Sequence, residues 1–206
     1  MCVYTQLEEH YLKLLGVENI LGIIEESVAS YNGLIDIVTQ QGYGKYASRM
    51  NHGRFIGPSI EDEIASRLGN VNGFKFKQGN EKSKDKDLEC IEYGHRFDKK
   101  FAPIIGNIYD PHNYGIELKC STKKSEVRPT GNRSFAVSDN KLKSKDSFYI
   151  CISKIHADQD TKFHIDSYQV WFIYAEQRDW LPCREGSGGS CLIMHDVWKD
   201  RAIRLK

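Results

Sequence analysis

The stretch Asp146-Ser147-Phe148-Tyr149-Ile150-Cys151-Ile152-Ser153-Lys154-Ile155 constrains this chain most, because it is apolar almost without interruption. A strand with one wet face alternates polar and apolar residues. A continuous run marks a strand buried on both faces and therefore central in its sheet. The chain has 206 residues, 40% hydrophobic and 28% charged, which suits one well-packed soluble domain spanning 1–206.

Around that strand the other elements can be placed by period. From Thr5 to about Thr39, Leu7, Tyr11, Leu14, Leu15, Ile20, Ile23, Ile24, Val28, Leu34 and Ile37 recur at helical steps. Gly16 and Asn32-Gly33 are the expected breaks, so residues 1–40 read as N-terminal helices. Gln41 to Gly57 has a loop composition rich in glycine, cations and aromatics. Ser59 is the expected cap of a helix that carries Glu61, Asp62 and Glu63 in its first turn and ends at Gly69. Phe74 and Phe76 alternate with lysines as in a strand, and Asp87 to Tyr93 reads as a second, which an acidic residue opens. After the central run, Phe163 to Ile165 and Tyr168 to Ala175 read as strands around an Asp166-Ser167 turn. Gly186 to Ser190 reads as a flexible loop, and Met194 to Leu205 as a short mixed element.

The chemistry concentrates in Gly115-Ile116-Glu117-Leu118-Lys119-Cys120. A period of two places Glu117 and Lys119 on one face and Ile116, Leu118 and Cys120 on the other. A carboxylate is a hard oxygen ligand suited to Mg²⁺, and a lysine beside it can orient or deprotonate a water or neutralise a developing anion. Taken alone, such a triplet is a cross-strand ion pair on an exposed face. Glu61 on its helix would share the site if it faces Glu117.

Just beyond lies a basic segment. Residues 119–145 hold eight cations (Lys119, Lys123, Lys124, Arg128, Arg133, Lys141, Lys143 and Lys145) against Glu126 and Asp139, leaving +6 on a chain whose net charge is +1. Within it, Arg128-Pro129-Thr130-Gly131-Asn132-Arg133-Ser134 mixes side chains that read bases and phosphates, so this segment is expected to bind a polyanion.

Other classes find less support. Cys183, Cys191 and His195 lack a fourth zinc ligand, the seven histidines form no triad arrangement, and Gly186-Ser187-Gly188-Gly189 lacks the lysine of a phosphate-binding loop. No run approaches the ~18 apolar residues of a membrane span, and the N-terminus lacks signal-peptide features. The six cysteines are scattered, as in a reduced protein, so a cytoplasmic location without membrane contact is expected.

An acidic helix (Ile60-Glu61-Asp62-Glu63-Ile64-Ala65), the strand Asp87-Leu88-Glu89-Cys90-Ile91 and the strand Gly115-Ile116-Glu117-Leu118-Lys119, in that order, resemble a type II restriction endonuclease of the PD-(D/E)xK nuclease superfamily. The resemblance runs from about residue 54 to 181, taking in the central strand and Asp179-Trp180. It implies an α/β (mixed α+β) fold, a central mixed β-sheet flanked by helices, with the basic segment as a DNA-recognition insertion. It implies that Asp87 and Glu117, with the Leu118 carbonyl, hold Mg²⁺, that Lys119 orients or activates the attacking water, and that Glu61 supports the metal's outer shell or a second ion. Lys123, Lys124, Arg128, Thr130, Asn132, Arg133 and Lys141 become the expected contacts to double-stranded DNA. By the same analogy the enzyme is a homodimer cutting a short palindrome, with a cognate DNA methyltransferase in its host. Lys86 stands where the family motif has proline. Asp85 and Asp110 are rival first acids, but Asp110 precedes a proline and lies too close to Glu117 for strand pairing, so Asp87 is preferred. A non-catalytic nucleic-acid-binding module, or a repair or junction-resolving nuclease on the same core, are the competing readings.

Overall fold

The computed structural model describes residues 3–42, 52–79, 87–93, 115–120, 130–132, 147–157, 164–179 and 190–206. In chain order these form α1 (Val3–Leu15), α2 (Val17–Gln40), α3 (His52–Arg67), β1 (Asn70–Val71), β2 (Phe74–Gln78), β3 (Leu88–Tyr93), β4 (Ile116–Cys120), β5 (Thr130–Asn132), β6 (Ser147–Ala157), β7 (Ile165–Ala175), β8 (Ser190–Leu192), α4 (His195–Arg201) and β9 (Ile203–Arg204). The main sheet has seven strands in the order β1-β2-β3-β4-β6-β7-β9. β4 and β6 are parallel and the other pairs antiparallel, so the sheet is mixed.

The apolar run becomes β6, between β4 and β7. Phe148, Ile150 and Ile152 enter the main core, which α1, α2 and α3 complete. Tyr149 and Cys151 enter a second cluster on the opposite face with Ile173, Ala175, Ile193 and Trp198 of α4. Helices thus flank both faces, as a strand buried on both sides requires. In the main core the Tyr11 ring of α1 stacks on Phe148 with centroids 3.7 Å apart and meets Phe74 edge-on at 5.4 Å. Such aromatic pairs add about 0.5–1.5 kcal/mol beyond their buried area.

Three local expectations change. The N-terminal helices break at Gly16, whose φ of 82° favours glycine, but not at Asn32-Gly33. Asn32 instead accepts the Ile165 N–H (2.8 Å) and donates to the Ile165 carbonyl (3.2 Å). That ties α2 to the start of β7, and Ile35 stays buried one turn on. α3 begins at His52, so Ser59 is not its cap and Pro58 lies inside the helix. An interior proline costs about 3 kcal/mol. Ile56, fully buried, continues the stripe of Ile60 and Ile64 at four-residue spacing, and burying one such side chain returns about 1.5–3 kcal/mol. Lastly, Asp166-Ser167 is no turn. Both residues lie within one continuous β7, paired to β6 across an irregularity between Ser153 and His156.

Candidate active site

β4 lies between β3 and β6, and its two neighbours treat it differently. Against β6 it is paired along its whole length, Ile116↔Phe148 through Cys120↔Ile152. Against β3 only Leu88↔Ile116 is paired among the described residues. Where that ladder ends, the next β4 backbone donors need acceptors, since buried N–H groups are almost always satisfied. Two carboxylates supply them. Asp87, the residue before β3, accepts the Leu118 N–H through Oδ2 at 2.8 Å, and Glu61 of α3 accepts the Cys120 N–H through Oε1 at 2.7 Å. The same backbone demand gathers the acids from a helix and a strand end onto β4.

Glu117 and Lys119 project on the face opposite Ile116 and Leu118, which belong to the main core. Their register partners on β6, Tyr149 and Cys151, form the apolar wall beside them. Glu117 is only 7% exposed. The Lys119 ammonium lies 3.3 Å from Glu117 Oε2 and 3.6 Å from Asp87 Oδ2. Asp87, Glu117, Lys119 and Glu61 are therefore brought together around one strand end.

Burial sets the electrostatics. It pushes the Glu117 carboxyl up to about 8, with Lys119 opposing and the neighbouring Asp87 adding to the rise. It pushes Glu61 up to about 7, again against the pull of Lys119. Burial alone would lower the Lys119 ammonium, but Glu117, Asp87 and Glu61 together outweigh it and leave the group above its ordinary value, so Lys119 is a cation. Three carboxylates share one positive charge in a poorly solvated place, which favours a further cation or a retained proton. The hard oxygen donors at hand are Asp87, Glu117 and the Leu118 carbonyl. Among the described residues no three His, Cys, Asp or Glu side chains form a ready-made metal cage.

Not every expected residue can be placed. Lys123, Lys124, Arg128, Arg133 and Lys141, and the rival acids Asp85 and Asp110, lie outside the described residues. Thr130 and Asn132 lie in β5, which pairs antiparallel with β8 in a separate two-stranded sheet. Ser190, expected in a loop, opens β8. No helix among the described residues is long and apolar enough to cross a membrane.

A mixed sheet covered by helices on both faces, with acids and a lysine gathered at the end of one strand, defines a restriction-endonuclease-like core. Residues 42–206 match the family model described as ScaI restriction endonuclease, and the chain belongs to that family. It is accordingly a DNA nuclease, broadly a type II restriction enzyme. No match was found among curated proteins or among solved structures.

Proposed function

We propose that this protein is a Mg²⁺-dependent, sequence-specific endonuclease of the PD-(D/E)xK type, a single domain over residues 1–206 that hydrolyses double-stranded DNA at a short palindromic site. The observation that carries the reading is the convergence of Asp87, Glu117 and Lys119 at the end of β4. Two carboxylates and a carbonyl fit Mg²⁺, which binds through one or two carboxylates and keeps its remaining positions for water and substrate phosphate. The raised Glu117 carboxyl fits too, since a cation would replace the proton that burial favours. Bound there, the ion would polarise the scissile phosphate and lower the pKa of a water.

The chain's own residues do the rest. Asp87 and Glu117, with the Leu118 carbonyl, would hold the ion, and the Leu118 N–H fixes the Asp87 carboxylate. The Lys119 ammonium donates to the attacking water and orients it toward phosphorus, and it offsets charge building on the nonbridging oxygens. Because its three carboxylate neighbours keep it protonated, it acts as an orienting cation and not as the base. Glu61 keeps the Cys120 end of β4 in place and would support the ion's outer shell. The water oxygen bonds to phosphorus as the bond to the 3′ oxygen breaks; the attacking water passes one proton to solvent and the leaving 3′ oxygen takes one from solvent. Lys123, Lys124, Arg128, Thr130, Asn132, Arg133 and Lys141 would contact the DNA.

A palindromic site calls for a two-fold symmetric reader, hence a homodimer. Host DNA then needs protection by a methyltransferase that recognises the same site, and both act in the cytoplasm where that DNA lies. Incubating the purified protein with phage DNA and Mg²⁺ tests the proposal. Discrete bands are expected, random degradation would reassign it to a general nuclease, and uncut DNA would leave a binding protein.

A further inference from the structure

The ladder between β6 and β7 is regular from Ser147↔Ala175 to Ser153↔Gln169 and is interrupted there; the next pair is His156↔Ser167. Interruptions of this kind, in which one strand carries an extra unpaired residue, are over-represented next to active sites. This one lies on β6, the strand paired to β4. The side chains that close the regular ladder therefore border the site.

Alternation places Ser153 on the same face as Tyr149 and Cys151, and Gln169 on the same face as Trp171 and Ile173. That is the face carrying Glu117 and Lys119. In one row across the sheet Lys119 lies opposite Cys151 and Cys151 opposite Trp171, and Ser153 with Gln169 forms the next row. Directly opposed side chains in such a pair start about 4.5–5.5 Å apart and diagonal ones about 7–8 Å, so Ser153, Gln169 and Trp171 can all reach one point between them.

Three polar atoms need a partner at that point. Ser153 Oγ, Gln169 Oε1 and Trp171 Nε1 are each shut off from solvent, and none has a hydrogen-bond partner among the described residues. Ser153 as a whole is 2% exposed. The indole is held in place, because the Trp198 ring packs against it with centroids 5.6 Å apart and the Arg204 guanidinium lies over it at 5.9 Å. Buried polar groups left unpaired are rare and costly, and three on one patch call for a common partner.

The groups specify its chemistry. The indole N–H only donates, the amide oxygen only accepts, and the hydroxyl does either. A cation would face the indole N–H and the Arg204 charge, and an anion would face the lone pairs of Oε1. A water molecule accepts from Nε1, donates to Oε1 and takes either role with Oγ, which gives the three bonds typical of a buried water.

We infer that Ser153, Gln169 and Trp171 together hold one ordered water, which joins β6 to β7 where their ladder is interrupted, one row from Lys119. The site is separate from the Mg²⁺ site proposed above and does not depend on it.

The test needs neither DNA nor Mg²⁺. A high-resolution crystal structure of the wild-type protein should show a water within about 3.2 Å of all three atoms. Ser153→Ala and Trp171→Phe, which keeps an aromatic ring and removes the donor, should each lower the melting temperature. Because both act through one water, the double variant should lose less than the sum of the two. A direct bond between Ser153 and Gln169 in the crystal, a different occupant, a dry gap or fully additive losses would overturn the inference. The crystal structure decides the question even where a variant fails to fold. A protein that holds the water but cuts no DNA would refute the endonuclease reading alone, and one that cuts DNA without the water would refute only this inference.

Discussion

Asp87 and Glu61 each serve β4 twice, as acceptors for its backbone and as charges beside Lys119, and this separates substitutions that otherwise look alike. Asp87→Asn keeps an acceptor for the Leu118 N–H and removes the charge. Asp87→Ala removes both. Both are expected to lose cleavage by on the order of 10²–10⁴-fold or more, but only Ala should also lower the melting temperature, because an orphaned buried donor costs roughly 1–3 kcal/mol of stability. Calorimetry alongside the cleavage rate checks the pair. The acids also make stability depend on pH. Glu117 and Glu61 titrate near 8 and 7 in the fold against 4.5 when unfolded, so the fold binds more protons than the unfolded chain between those values. Their contribution is full below pH 4.5 and is lost as pH rises toward 8. Metal-free protein should therefore melt at lower temperature at pH 8.5 than at pH 5.5, and Glu117→Gln should flatten that fall. A slope unchanged in the variant would remove Glu117 as its source.

Among the elements, α1 has the most to lose. Glu8 lies within its apolar stripe of Leu7, Tyr11, Leu12 and Leu15, fully buried, where it accepts the Tyr174 N–H at 2.8 Å and lies 3.4 Å from the Arg201 guanidinium. Arg201 in turn pairs with buried Asp179 at 3.1 Å and donates to the Tyr174 carbonyl. This network ties the first helix to α4 and β7. Glu8→Ala breaks a buried pair and should cost about 3–5 kcal/mol in chemical denaturation. Although the family match begins at residue 42, a fragment lacking α1 and α2 would expose Phe148 and Phe172 and should fail to unfold cooperatively. What was legible here followed from period. The central strand, the strand of Phe74 and Phe76, and the Glu117 strand all follow from which residues are apolar. The start of α3 was not legible, because Pro58 and the capping signal at Ser59 are local and the burial of Ile56 is tertiary. The hairpin at Asn72-Gly73, with φ of 44° and 86°, has its signal in the Asn-Gly pair itself. Glu8 on the buried stripe of α1 was likewise a visible signal.

Across the whole molecule, an order of acids in the sequence became a place. Glu117 and Lys119 share a face because strand alternation fixes faces, and Glu61 and Asp87 were joined to them by the resemblance to the order of acids in such nucleases. Why they meet could not be read in advance, since it depends on the Leu118 and Cys120 N–H groups of β4 being accepted by the Asp87 and Glu61 carboxylates, where among the described residues β3 pairs with β4 only at Ile116. The pairing of β5 with β8 was also hidden, because two three-residue strands so far apart in sequence leave no periodic trace. At this scale the palindromic site proposed above predicts a homodimer, and sedimentation of the protein on its DNA should give the mass of the duplex plus twice the 23.7 kDa chain mass. The most direct measurement of the central claim is single-turnover cleavage of one site-bearing duplex with Mg²⁺, wild type beside Lys119→Gln, each first shown to bind that duplex. The account predicts cutting by the wild type and a loss on the order of 10²–10⁴-fold in the variant at comparable binding. A Lys119→Gln protein that cuts at the wild-type rate would contradict it.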